Sequence, residues 1–307
     1  MNATLLVCAL ALDAMFGEPK WLWSKITHPV VLMGLLIERL EENLNTGTMR
    51  RLNGCIAQAI LIAVAFGVAA IVSFIPFSWV IELAVAAILI AHRSLVQHVS
   101  DVADALRLSV ADGRATVAMI VGRDTASMSS PDVARAAIES AAENFSDGVI
   151  APAFWFLVAG LPGLLIYKLT NTADSMIGYR TERYSEYGWA AARFDDLLNW
   201  IPARLTAILF AAIYGLFGQW TDIVKDAGLH RSPNAGWPEA ALSRGLNVAL
   251  AGPRNYDGVR QDYPFVNPTG ERELGPNHIA ASTKALRRGW VVFTLAILLV
   301  ATVDAAI

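Results

Sequence analysis

The sequence predicts an all-α, polytopic integral membrane protein of about four to six membrane-embedded helices, some of them broken or re-entrant, with long helical and loop-rich polar segments between them. Three observations predict it. Charged side chains make up only 17% of the 307 residues, where a soluble domain carries about 25%. The mean hydropathy is +0.45. The missing charge is also not spread evenly: uncharged residues gather into runs long enough to enter a bilayer.

Taken in order, Asn2–Phe16 is a marginal span with Asp13 near its end. It lacks the basic leader of a signal peptide. Gly54–Phe77 has no charged residue and matches a hydrocarbon core of about 30 Å. Pro76 marks a turn into the shorter apolar run Trp79–Ala91. Val149–Leu169 is interrupted by Pro152, Pro162 and Gly163, Pro202–Gln219 is short, and Trp290–Ala301 with its tail is the last span. Cys8 and Cys55 both lie in apolar runs and give neither metal spacing nor a disulfide framework.

The whole chain, 1–307, reads as a single membrane-embedded domain whose polar segments are 17–53, 92–148, 170–201 and 220–288. The first two flank the 54–91 hairpin, so they share a side, and their Arg and Lys residues place that side in the cytoplasm. The expected location is the cytoplasmic (inner) membrane of a bacterium, multi-pass, with the active site facing the cytoplasm and lipid as a partner. The net charge of −3 and the lack of a basic block argue against nucleic acid. In segment 92–148, Gly113 is expected to break one helix, and Ser130 with Pro131 to cap the next, PDVARAAIESAAENF. That helix puts Val133, Ala136, Ala137, Ser140 and Ala141 on a small-residue face and Arg135, Glu139 and Glu143 on another. Segment 220–288, rich in Pro and Gly, reads as ordered loop with one or two short helices.

Chemistry concentrates where polar residues meet the apolar runs. Glu139, Glu143 and Asp147 fall four residues apart, with Asn144 among them. One reading is a solvated helix face on which Arg135 and Glu139 pair. The other is a Mg²⁺ site, because hard cations take oxygen ligands and share them with phosphate. Its expected ligands are Glu143, Asp147 and, beyond the apolar run, Asp174. A second cluster holds Asn171, Asp174 and Ser175, and a third Asp195, Asp196, Asn199 and Arg204. Acid and amide at the ends of membrane helices are costly unless used. If Val149–Leu169 crossed fully, the first two clusters would lie on opposite sides. A break at Ala159–Gly163 is therefore expected to bring them together.

Glu139, Glu143, Asp147, Asp174 and His28 are the candidate catalytic residues. Candidates for holding substrate or phosphate are Arg123, Asn144, Asn171, Ser175, Arg180, Asp196, Asn199, Arg204, His230 and Asn234. Arginine offers phosphate a planar fork, whereas Lys168, Arg287 and Arg288 read as anchors at the membrane surface. His28 and His230 each precede a turn-forming proline stretch and suit a general base, a phosphate contact or a structural role. His92 and His98 have no metal-ligand partner. The sequence contains no phosphate loop, dinucleotide fingerprint, zincin motif or nucleophile elbow.

The stretches RDTASMSSPDVARAAIESAAENFSDGVIAP, GLPGLLIYKLTNTADSMIGYRTERY, ARFDDLLNWIPARLTA and SPNAGWPEAA, in that order, resemble the adenosylcobinamide-phosphate synthases of cobalamin biosynthesis, called CobD or CbiB. GEP at 17–19, HPV at 28–30 and HRSL at 92–95 match as well. Ala173 departs from the bulkier residue expected there. The resemblance implies an acid–amine ligase. It would join the free propionate carboxylate of adenosylcobyric acid to (R)-1-aminopropan-2-ol or its O-phosphate, with Mg²⁺ and ATP activating the carboxylate. Partners are then the corrinoid, the aminopropanol or its phosphate, and other enzymes of late cobalamin synthesis. Two alternatives stand beside it: another Mg-dependent membrane enzyme of the phosphotransferase or prenyltransferase type, and a non-enzymatic corrinoid carrier. The stretch Asn144 to Ala151 is similar to the CDP-alcohol phosphotransferase signature, but Asn144 and Pro152 replace its first acid and its arginine.

Overall fold

The computed structural model describes residues 2–256 and 259–306. Its helices in chain order are α1 (Asn2–Phe16), α2 (Lys20–Trp23), α3 (Pro29–Leu44), α4 (Arg50–Ser73), α5 (Ser78–Leu89), α6 (His92–Leu108) and α7 (Val110–Val117). Then come α8 (Ser130–Phe145), a π-turn at Ser146–Ile150, α9 (Ala151–Ile177), α10 (Trp189–Leu198), α11 (Trp200–Tyr214), α12 (Trp220–Ala227), α13 (Gly236–Leu246) and α14 (Pro276–Ala306). Four short strands, β1 (Leu250–Ala251), β2 (Arg254–Tyr256), β3 (Val259–Gln261) and β4 (Phe265–Val266), pair antiparallel as β1 with β4 and β2 with β3. The protein is thus an all-α polytopic membrane protein. Arg50–Ser73, Ser78–Leu108, Ser130–Ile177 and Pro276–Asp304 are each long and apolar enough to cross a membrane. The pair α10 and α11 is long and apolar enough only when joined across its 43° bend.

The chain forms two compact units. The first comprises Met1–Ala91, Ala151–Asn199 and Ile297–Ile307. Here α4 packs on α9 and α10, α1 on α5 and α9, and α3 on α4 and α9. Apolar packing alone gives helices in lipid little preference for one another, so polar links between them carry added weight. One is buried between α4 and α9, where Gln58 Nε2 donates to Thr170 Oγ1 at 2.8 Å. The expected break in α9 is present at Gly160, with φ 61° and ψ −151°, a region open almost only to glycine. Pro162 follows and has no N–H to continue the ladder. Asn2 Nδ2 donates to the carbonyl of Leu157 near this break, at 3.4 Å.

The second unit comprises His92–Ile150 and Trp200–Ala296. Helix α8 packs against α6, α7 and α13, and α11 packs against α13. Every residue from Val133 to Ala142 is buried, including the predicted small-residue face and the charged Arg135 and Glu139. Three local expectations need correction. The break before α7 falls at Ser109, whose hydroxyl accepts from Asp112 N and caps the helix, while Gly113 lies buried inside it. The cap of α8 is Ser129, one residue earlier than expected, because Asp132 at the third position completes a reciprocal capping box with it. Arg135 and Glu139 do not pair with each other, since each finds closer partners elsewhere in the unit. Segment 220–288 holds two short helices, as expected, and adds the small strand ladders, but residues 276–288 are not loop: they form the start of α14.

Candidate active site

Within the second unit, α8 and the π-turn carry the acid stripe. Glu139 is 5% exposed, so it does not belong to a solvated face. Its Oε2 accepts from Arg123 Nη2 at 2.7 Å and its Oε1 from the backbone N–H of Ala251 at 2.7 Å. A buried carboxylate needs such compensation; here it ties the loop before α8 and strand β1 to one point. Arg123 also lines a cavity of about 520 Å³ together with Ser127, Ser129, Arg135, Phe265 and Arg272. Arg135 is committed to structure: it donates to the carbonyls of Ala249 and Arg272 at 3.2 and 3.0 Å and to Asp132 at 2.9 Å. The Arg272 guanidinium lies 4.5 Å from the centre of the Phe265 ring.

One turn beyond Glu139 the stripe reaches solvent. Glu143 and Asn144 are exposed and Asp147 is half-buried. The Asn144 amide nitrogen donates to the backbone carbonyl and hydroxyl of Ser140, at 2.9 and 3.0 Å, which leaves its oxygen to serve as an acceptor. Asp147 sits within the π-turn, a distortion that often accompanies function. Among the described residues, no three His, Cys, Asp or Glu side chains are grouped so as to hold a metal ion.

Also in this unit, Arg204, Asn234 and His230 form a second polar group. Arg204 lies over Trp200 and Trp237, 4.5 and 4.7 Å from their ring centres, and donates to Asn234 Oδ1 at 3.1 Å. The His230 Nδ1 accepts from Ser232 N at 3.0 Å, and its Nε2 lies 3.8 Å from Glu239. Sequence reasoning singled out neither Glu239 nor Arg272. An acid in a Trp-Pro-Glu turn and an arginine among prolines carry no distinctive spacing.

The first unit holds the remaining predicted residues. Asn171, on α9, donates to Asp195 Oδ1 at 3.2 Å, and Asn199 donates to Asp195 Oδ2 at 2.9 Å. Tyr167 donates its hydroxyl to Asn199 Oδ1 at 3.0 Å. Asp174, one turn beyond Asn171, lies within electrostatic reach of Asp195 and Asp196. Asp196 is also near Arg193, at 3.6 Å, and feels Arg180. Ser175 is exposed and its hydroxyl donates to the Asn171 carbonyl at 2.9 Å. His28 is the N-cap of α3: its Nδ1 accepts from Val30 N at 3.2 Å, and its Nε2 is buried with no hydrogen-bond partner among the described residues. Burial holds its pKa below the ordinary histidine value.

Sequence reasoning missed a further ion pair in this unit. Arg183 clasps Glu41 through Nε and Nη2, at 3.0 and 2.8 Å, and Asn45 adds a third donor at 2.8 Å. These hydrogen bonds keep the Glu41 carboxyl below its usual range. Glu41, Asn45 and Arg183 line a cavity of about 570 Å³ with Arg50 and Thr181. Nearby Tyr187 is buried, which pushes its hydroxyl up to about 12. The two partners of the pair are far apart in sequence, so no local spacing announces it.

A family model described as CobD/Cbib protein matches residues 6–286. The chain is 45% identical to the cobalamin biosynthesis protein CobD of Rhizobium meliloti (strain 1021), over 95% of this chain and 94% of that protein. It is 45% identical to the protein of the same name from Brucella suis biovar 1 (strain 1330), covering 95% and 97%. It is 44% identical to that of Rhodobacter capsulatus, covering 97% of each. No solved structure gives a significant match.

Proposed function

The chain belongs to the CobD/CbiB family, and from that premise we propose that it is a membrane enzyme of cobalamin biosynthesis that forms an amide bond. The acid is the free propionate carboxylate of adenosylcobyric acid and the amine is (R)-1-aminopropan-2-ol or its O-phosphate. A carboxylate resists attack by an amine. In the proposed reaction its oxygen first takes the γ-phosphoryl group of ATP, giving an acyl phosphate and ADP. The amine lone pair then attacks the acyl carbon, inorganic phosphate leaves with the C–O bonding electrons, and the nitrogen loses a proton. Both steps need positioning and charge neutralisation at phosphate oxygens rather than a protein nucleophile.

The observation that carries this proposal is the run of acids along one helical path, Ser130–Ile150, beside the Arg123 cavity. Buried Glu139 holds Arg123 beside a cavity, and Glu143, Asn144 and Asp147 follow within the next two turns. The Arg123 fork, anchored on one side by Glu139, would bind phosphate oxygens. Glu143 and Asp147, with the Asn144 oxygen in support, fit a Mg²⁺ ion that arrives with its nucleotide, since Mg²⁺ commonly keeps water and takes only one or two protein carboxylates plus phosphate. Bound there, the ion would draw charge from the phosphate oxygens. Asp174, expected from the sequence as a third ligand, belongs to the other unit and is not part of this proposal. Arg204, Asn234 and His230, in the same unit, are proposed contacts for the substrates, in a site opening to the cytoplasmic side of the inner membrane.

The test is a Mg²⁺ titration of purified protein given cobyric acid, the amine and ATP. Glu143→Gln and Asp147→Asn keep size and one oxygen but remove charge. Both are expected to insert and fold, to lose amide formation by about a hundredfold, and to need more Mg²⁺ for what remains. Full activity with unchanged Mg²⁺ dependence would return these acids to a solvated role.

A further inference from the structure

Between α9 and α10 of the first unit, the carboxylate of Asp195 has no part in the scheme above. It is 8% exposed. Each of its oxygens accepts from one carboxamide, Oδ1 from Asn171 and Oδ2 from Asn199. Both amides turn their nitrogens towards it, so it acts as an acceptor on both oxygens. For buried Asn199 the oxygen is then taken by the Tyr167 hydroxyl. For half-buried Asn171 the oxygen makes no hydrogen bond among the described residues. It is held on the helical face that also carries Asp174, three residues on.

We propose that Asp195 is a positioning residue for the amine substrate: by holding the Asn171 nitrogen, it fixes the Asn171 carbonyl oxygen as an acceptor for the amine N–H. This rests on the amide-forming reaction proposed above and assigns its amine half to this network. The chemistry favours a neutral acceptor. The nucleophile must present a free lone pair, and a carboxylate contact would stabilise the unreactive ammonium form. An amide oxygen orients an N–H with far less bias towards the charged state, and orientation is most of what the attack requires.

Asp195→Asn is the discriminating variant. Its new NH₂ must face one of the two amides, and because Asn199 is held by Tyr167, Asn171 is the one that turns. The KM for the amine is expected to rise about tenfold or more while those for ATP and cobyric acid stay within about twofold. A second variant exchanges the pair, Asn171→Asp with Asp195→Asn. It restores an acceptor at position 171 and keeps the hydrogen-bond count, so its amine KM should return to within about threefold of the wild type. Its kcat should stay low near neutral pH and rise with pH, because the carboxylate now at 171 favours the ammonium form. A merely structural role predicts losses shared by all three substrates and tracking the melting temperature. The proposal is overturned by an unchanged amine KM in folded Asp195→Asn, by an even loss across substrates, or by an exchanged pair that folds with its amine KM still raised about tenfold. Calorimetry of the amine alone separates this from the reaction scheme. If the wild type forms no amide, that scheme fails, yet amine binding weakened by Asp195→Asn would still support the positioning role and unweakened binding would overturn it.

Discussion

His28 shows how a single hydrogen bond restricts chemistry. Its Nδ1 lone pair caps α3, so the neutral ring carries its proton on Nε2 and can only donate from there. As a catalytic group it would be a hydrogen-bond donor to a developing oxyanion, not a general base. His28→Asn keeps a good capping side chain and deletes that donor. If the ring acts on substrate, activity should fall about tenfold, or about 1.4 kcal/mol in the barrier, with α3 intact by circular dichroism. Unchanged turnover would make His28 a cap and nothing more. The same pair of proteins gives a pH test. Burial lowers the folded pKa of His28, so the unfolded chain binds the proton first, and the wild type should lose stability relative to the variant as pH falls from about 7 towards 5. Parallel melting profiles over that range would show that the ring is not desolvated.

Elements were the most legible scale in the sequence, and their ends the least. Runs such as Gly54–Phe77 announced a span because bilayer thickness sets their length, yet α4 begins at Arg50, since helix propensity continues past the apolar boundary. The capping box of Ser129 and Asp132 could have been read from its spacing. The acid stripe was legible as chemistry, but not the fate of its members. Only packing shows that Glu139 is buried on Arg123 and Ala251 while Glu143 emerges. The break in α9 was the best-read local feature, because Gly and Pro together both permit and force it. Gly160→Ala should cost about 1–3 kcal/mol for the forbidden backbone angles alone. Melting in detergent checks this, and a variant as stable as the wild type would mean that the helix can straighten there at no cost.

At the scale of the molecule, the sequence-level expectation is that the two acid clusters face one side of the membrane. Asn144 and Ser175 are exposed neighbours of the clusters, so Asn144→Cys and Ser175→Cys can be labelled by an impermeant thiol reagent after both native, exposed cysteines, Cys8 and Cys55, are replaced by alanine. Labelling of both from the cytoplasmic side is expected; labelling from opposite sides would overturn that expectation. The make-up of the first unit has a consequence for how the protein is born. Its residues come from three separated stretches, and those from Ile297 onward are translated after all of the second unit. The ribosome therefore cannot release a finished first unit before starting the second. Its early helices must wait in the membrane, apolar faces open to lipid or to the insertion machinery, until the last stretch arrives to complete the packing.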